Sequence, residues 1–136
     1  MTVVDRLNAL LEAERAGVEA LSRLLPEARS PAMQTLFEAV RDDEAWSCAG
    51  LARAIKSLDG VMSEKKGDFA DKVMGEPTLV ARLQLLNRGQ GWVVKRLDSL
   101  LEETLPASVR EFLEEMKARH HANIKACDRL AESVVD

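Results

Sequence analysis

The sequence predicts an all-α protein, an antiparallel four-helix bundle with a long crossover link between its second and third helices. Three observations predict it. Leu, Ala, Glu, Arg and Lys dominate, with seven Gly and four Pro in 136 residues, a composition poor in turns and rich in helix formers. Those Pro and Gly residues cut the chain into four long blocks. Each block repeats apolar residues at alternating steps of three and four, the period of one helix face.

The first helix is expected over residues 3–25, opened by Thr2 with Asp5 three residues later, a capping box with Asp in place of Glu. Pro26 to Ser30 is a short loop. The second helix spans 31–58, with Ser30 as N-cap and Pro31 at the first helical position, where a missing N–H costs nothing. Asp59-Gly60 ends it. The third helix spans 77–104 from Pro77, and the fourth spans 107–134, opened by Pro106 and by Ser108 with Glu111. Both short loops imply antiparallel pairs. The polar link, 59–76, is long enough to run the length of the bundle at roughly 3.3 Å per extended residue. Phe69, Val73 and Met74 can form an amphipathic turn or two within it.

Composition bounds the function. The length suits one domain, 1–136. A net charge of −4 argues against a general nucleic-acid binder. Two distant Cys form no disulfide framework, and the start of the chain has no apolar run of signal-peptide type, so a cytoplasmic protein is expected. No apolar run approaches the roughly 20 residues that span a bilayer, so no membrane partner is expected. There is no Gly-rich phosphate loop, Ser-His-Asp order, Cys-x-x-Cys pair or basic-aromatic stripe, and no catalytic residue is assigned.

The informative feature is what interrupts the apolar seams. The first helix reads Val4, Leu7, Leu11, Glu14, Val18, Leu21, Leu25. The second reads Phe37, Val40, Glu44, Ser47, Leu51, Ala54, Leu58, flanked by Cys48. The third reads Leu79, Leu83, Leu86, Gln90, Val93, Leu97, Leu100. The fourth reads Val109, Leu113, Met116, His120, Asn123, Cys127, Leu130, Val134. Every seam has a polar break near the middle of its helix, and packing in register would gather the breaks into one layer. A buried carboxylate is normally protonated, paired or bound to a metal. Four coinciding breaks suggest a site.

This arrangement resembles the ferritin-like superfamily, whose bundles place a Glu on each of two helices and a Glu-x-x-His on each of the other two around a metal pair. The run Leu86-Asn87-Arg88-Gly89-Gln90-Gly91-Trp92-Val93-Val94, with Met116, His120, Asn123 and Ile124, is similar to uncharacterised bacterial ferritin-like families. The resemblance implies that Glu14 and Glu44 are ligands. Ser47 stands where the second helix would carry His, Gln90 stands for Glu, and His120-x-x-Asn123 replaces Glu-x-x-His. Two carboxylates neutralise one divalent cation and leave two uncompensated. The expected cofactor is therefore one Fe, Mn or Zn ion on Glu14, Glu44 and His120, supported by Gln90, Asn123, Ser47 and Cys48. Metal-linked redox or stress chemistry is the implied use.

Trp46 lies opposite the seam of its helix, and Leu85 and Trp92 form a second apolar stripe on the third. Either the link, through Phe69 and Met74, or a second subunit covers them, and a homodimer is expected with Trp46, Leu85 and Trp92 at its interface. The charge runs Asp42-Asp43 and Glu64-Lys65-Lys66 read as solvated. The competing reading is a non-catalytic oligomeric or partner-binding bundle that keeps the polar layer for packing specificity. A histidine phosphotransfer bundle would need an exposed His. His121 is on the outside, but Ala122-Asn123-Ile124-Lys125 lacks the small residues that would follow it.

Overall fold

Local capping sets where the helices begin. In the computed structural model, which describes residues 1–134, five α-helices follow one another: α1 (Val3–Leu24), α2 (Pro31–Ser57), α3 (Phe69–Gly75), α4 (Leu79–Leu101) and α5 (Ala107–Ser133), with a 3-10 turn over Leu25–Glu27. The Thr2–Asp5 box is formed in both directions, and Ser30 accepts from Met33 N–H. α4 begins two residues later than expected, because Thr78 is its N-cap and accepts from Ala81 N–H, leaving Pro77 outside. It also ends earlier, where the Arg110 guanidinium takes the carbonyls of Leu101 and Glu103. Pro106 itself is the N-cap of α5, so Ser108 and Glu111 fall inside the helix and make no box. At the end of α2 the left-handed residue is Asp59 (φ 58°), and the Asp59 and Gly60 N–H groups close onto Lys56 and Ile55 carbonyls.

α1 and α2 form one hairpin, and α4 and α5 the other. α1 also packs on α4, and α2 on α5, so α1 and α5 are diagonal, as are α2 and α4. The core divides into two clusters. One gathers Leu7, Leu11, Leu51, Ile55, Leu97, Leu100, Val109 and Leu113. The other gathers Leu21, Leu24, Met33, Phe37, Leu79, Leu83 and Cys127. α2 and α4 therefore start in the second cluster and finish in the first, α1 and α5 do the reverse, and neighbouring helices are antiparallel. The third and fourth expected seams are buried as read up to Leu100 and Cys127, with Leu130 and Val134 half-buried.

The link travels the length of the bundle along the outside of α1. Asn8 exchanges hydrogen bonds with the backbone of Val61 and Ser63, and Glu12 accepts from the Ser63 hydroxyl. Arg15 donates to the carbonyls of Ser63 and Lys65, Glu19 pairs with Lys66, and Arg23 with Asp71. These seven contacts step up one helix face, which explains why α1 is buried on more than its seam: Leu10, Ala16, Ala20 and Leu24 lie under the link, α3 or neighbouring helices. α3 lays Phe69 against Gly89 of α4, where an added Cβ would come within 2.6 Å of the ring. Phe69, Met74 and Leu85 border the second cluster, so the link covers that part of the α4 stripe. Among the described residues no helix is long and apolar enough to cross a membrane.

Candidate metal centre

Between the two apolar clusters lies the polar layer. Glu14, Glu44, Ser47, Gln90, His120 and Asn123 are all buried, as their seam positions require. The structure divides them into two groups.

Glu14, Glu44 and His120 form the first. Each offers one ligand atom, and these atoms lie within 4.8 Å of one another, although they come from three different helices. Glu14 and His120 meet across the diagonal of the bundle, with Glu14 Oε1 2.5 Å from His120 Nε2. No hydrogen-bond geometry accompanies that approach. Glu14 Oε1, His120 Nε2, Glu44 Oε2 and Gln90 Oε1 are buried polar atoms without a hydrogen-bond partner. Such atoms are costly, and native interiors rarely leave them so.

His120 Nδ1 lies 2.9 Å from the Met116 carbonyl, a group that can only accept. Nδ1 therefore carries a proton, and the neutral ring presents a lone pair at Nε2. Facing a carboxylate oxygen, that lone pair requires a proton or a metal cation between them. A ring whose other nitrogen donates to a backbone carbonyl is the usual arrangement at a metal-bound His. The protonation behaviour carries the same signature. Burial pulls the His120 pKa down, but contact with Glu14, its charge, the Met116 carbonyl and Asp43 outweigh burial, and the net direction is up from 6.5. Burial, then the charges of Glu14 and Asp43, hold the Glu44 carboxyl well above 4.5. Without a cation, this cluster holds protons.

Gly17 also belongs to this cluster, although its place is not marked by the apolar seam. A Cβ at this position would lie 1.9 Å from Glu44 Oε2 and 2.7 Å from its carboxyl carbon. The bare α1 backbone is the seat of the Glu44 carboxylate. The signal was present in the sequence: a Gly inside a helix costs about 1 kcal/mol relative to Ala, and this one sits three residues beyond Glu14 on the same face.

The second group is closed by its own bonds. Ser47 donates to the Asp43 carbonyl, Asn123 Nδ2 donates to Asp43 Oδ2 at 3.1 Å, and Arg119 donates to Asp43 Oδ1 at 2.9 Å. Asn123 thus serves Asp43 rather than the His120 ring, and Asp43 is tied down rather than solvated. Cys48 is half-buried, its thiol pushed up to about 12 by burial and by the charges of Glu14 and Glu44. Cys127 is likewise pushed up to about 12, chiefly by burial, so both thiols stay protonated at neutral pH and are poor ligands. Trp46 packs on Phe112 with ring centroids 5.1 Å apart and lies under the Arg119 guanidinium, so α5 of the same chain covers much of it. Trp92 stays 40% exposed beneath Arg96. His121 is exposed and away from the layer.

A cleft of about 590 Å³ between α1 and α4 reaches this layer, lined at its base by Glu14, Glu44, Gln90 and His120 and at its mouth by Glu12, Asp68, Lys72, Arg88 and Trp92. The small side chains of Ala9, Ala13 and Ala16 line its α1 wall, while the space beside Gly17 is taken by the Glu44 carboxylate and that beside Gly89 by the Phe69 ring.

A family model described as a domain of unknown function, DUF6306, matches residues 1–129. The chain belongs to the DUF6306 family. A solved structure described as a ferritin-like, diiron-carboxylate protein from Bacillus anthracis str. Ames superposes on this DUF6306 chain with a TM-score of 0.80 at 20% identity, covering 96% of this chain and 99% of the other. The ferritin-like fold expected from the polar layer is thereby shown. No curated protein matches the sequence.

Proposed function

We propose that this DUF6306 protein binds one divalent metal ion on Glu14, Glu44 and His120. The observation that carries the reading is the convergence, within 4.8 Å, of three buried ligand atoms from three helices that lack hydrogen-bond partners. The donor set fits such an ion. Two carboxylates neutralise it, the Met116 carbonyl orients the imidazole, and the cleft leaves coordination positions open on one side. The solved relative is described as a diiron-carboxylate protein. Here Ser47 and Asn123 are engaged with Asp43, and the Asp43 carboxylate is itself taken up by Arg119 and Asn123 rather than left for a second divalent ion. Two carboxylates and one His with open positions suit Fe(II) or Mn(II), and such an ion supplies redox chemistry at a site reached from solvent.

The test is metal analysis of protein purified without chelator, followed by melting of the chelated protein with Fe(II), Mn(II) or Zn(II). The expected result is one ion per chain, with the melting temperature raised by about 5–10 °C at an ion concentration near 100 Kd. A chain that retains no ion, and whose melting none of the three metals moves, overturns the proposal.

A further inference from the structure

The cleft has a polar atom that the metal reading does not use. Gln90 Oε1 is buried, borders the cleft, and has no partner. Its orientation is dictated by a chain of hydrogen bonds. The Ile124 carbonyl and the Asp128 carboxylate both accept from Asn87 Nδ2, at 2.9 and 2.8 Å. Asn87 must therefore turn its Oδ1 toward Gln90, whose Nε2 donates to it at 2.9 Å. With Nε2 so committed, and also near the Cys127 sulfur, the amide oxygen is the atom left for the cleft. It is a fixed acceptor waiting for a donor.

The walls around it are apolar: Ala13 and Gly17 on α1, Leu86, Gly89 and Val93 on α4, and Phe69 of α3. At about 590 Å³ the cleft is within the size range of small-molecule sites. The charged residues at the mouth are two acids and two bases, so they select no net charge. We infer that the α1–α4 cleft binds a small, uncharged, mainly apolar molecule bearing one hydroxyl group, which donates its proton to Gln90 Oε1. This goes beyond the metal assignment and needs no ion, since the acceptor and the walls belong to the protein alone.

The test is calorimetric titration of chelated and of Zn(II)-treated protein with three probes: 1-hexanol, methyl pentyl ether and hexanoate. The ether matches the alcohol in size but has no proton to donate. The expected result is saturable 1-hexanol binding with Kd below about 1 mM, at least about tenfold tighter than the ether. Gln90→Leu removes the preference for the alcohol while keeping apolar binding, and Ala13→Leu, which narrows the cleft, weakens both; circular dichroism checks that each variant is folded. No saturable binding of any probe means that water alone meets Gln90, and overturns the inference. So does equal binding of alcohol and ether, or strongest binding of hexanoate. Zn(II) uptake is read separately. An alcohol site in a chain that takes up none of Fe(II), Mn(II) and Zn(II) leaves this inference standing and removes the metal proposal, whereas metal uptake without an alcohol site does the opposite.

Discussion

The two halves of the polar layer were built from similar materials and treated differently. On one side Asp43, Ser47, Arg119 and Asn123 satisfy one another. On the other, Glu14, Glu44, Gln90 and His120 leave four polar atoms unpartnered around the floor of a cleft. Asp43 and Arg119 reach toward the surface, but Ser47 is as buried as Glu14, so burial does not account for the whole difference. What differs is completion. A network that closes on itself contributes packing specificity and needs nothing else, while one whose acceptors and lone pairs converge without donors requires a proton or a ligand.

The largest effect is expected from Gly17→Ala. The new methyl group occupies the place of the Glu44 carboxylate, and the long Glu side chain turns away more readily than the backbone moves. Metal affinity should fall by about 100-fold, since the change displaces a proposed ligand. The chelated protein should melt within a few degrees of the parent, because Ala favours the helix that Gly weakens. Titration with Zn(II) and a melting curve check both. Unchanged affinity would mean that Glu44 does not need this seat, and the open half would lose one of its ligands.

Next comes pH, where the two groups that titrate in the open half act in the same direction. Glu44 has a raised pKa, so the folded chain holds a proton that the unfolded chain releases above about 4.5, and stability falls as pH rises through that region. His120 is also raised. Its contribution is fully present below 6.5 and is lost as pH climbs through the folded-state value. The chelated protein should therefore melt at a progressively lower temperature between about pH 5 and about pH 8. A divalent ion displaces those protons, so its stabilising effect should grow over the same interval. A flat profile without metal would mean that no proton is shared in the cluster. Asp43, in the closed half, adds to both shifts through its charge, as the smallest cause of each.

Much of this was legible before any coordinates. The 3.6-residue period placed the seams, and their breaks placed Glu14, Glu44, Gln90, His120 and Asn123 in one buried layer. What the period cannot encode is direction and partnership. Asn123 is as central as His120 in sequence, yet it bonds Asp43, which lies one residue from Glu44 and so a full 100° around the helix. Gly17 carried a propensity signal, but which atom would fill its empty side required the α2 side chain. The pairing of Asn8, Glu12, Arg15, Glu19 and Arg23 with the link was not legible, because it depends on a connection that has no periodicity of its own.

A smaller effect on the site, though not on stability, is expected from Asp43→Ala. Arg119 and Asn123 lose their shared partner, which should cost about 1–3 kcal/mol in denaturant unfolding. Metal affinity should change by less than about threefold, since Asp43 acts on Glu44 only through charge, after burial and Glu14. A loss of metal binding comparable with that of Gly17→Ala would join the two halves into one site.

The smallest effect is expected from Ser47→Ala. The hydroxyl donates to the carbonyl of Asp43, one turn back, at 3.0 Å, and a helix interior already supplies that carbonyl with a backbone donor. Removing the hydroxyl therefore leaves no orphan acceptor, and a side chain bonded back onto its own helix contributes little in the first place. Stability should change by less than about 0.5 kcal/mol, and metal affinity not at all. Ser47 nevertheless occupies the place where a Glu-x-x-His helix would carry its imidazole, so it is the most direct probe of whether that half has left the metal chemistry. If Ser47→Ala weakened metal binding tenfold, its hydroxyl would have to reach the ion through water, and the line drawn between a closed half and an open one would be in the wrong place.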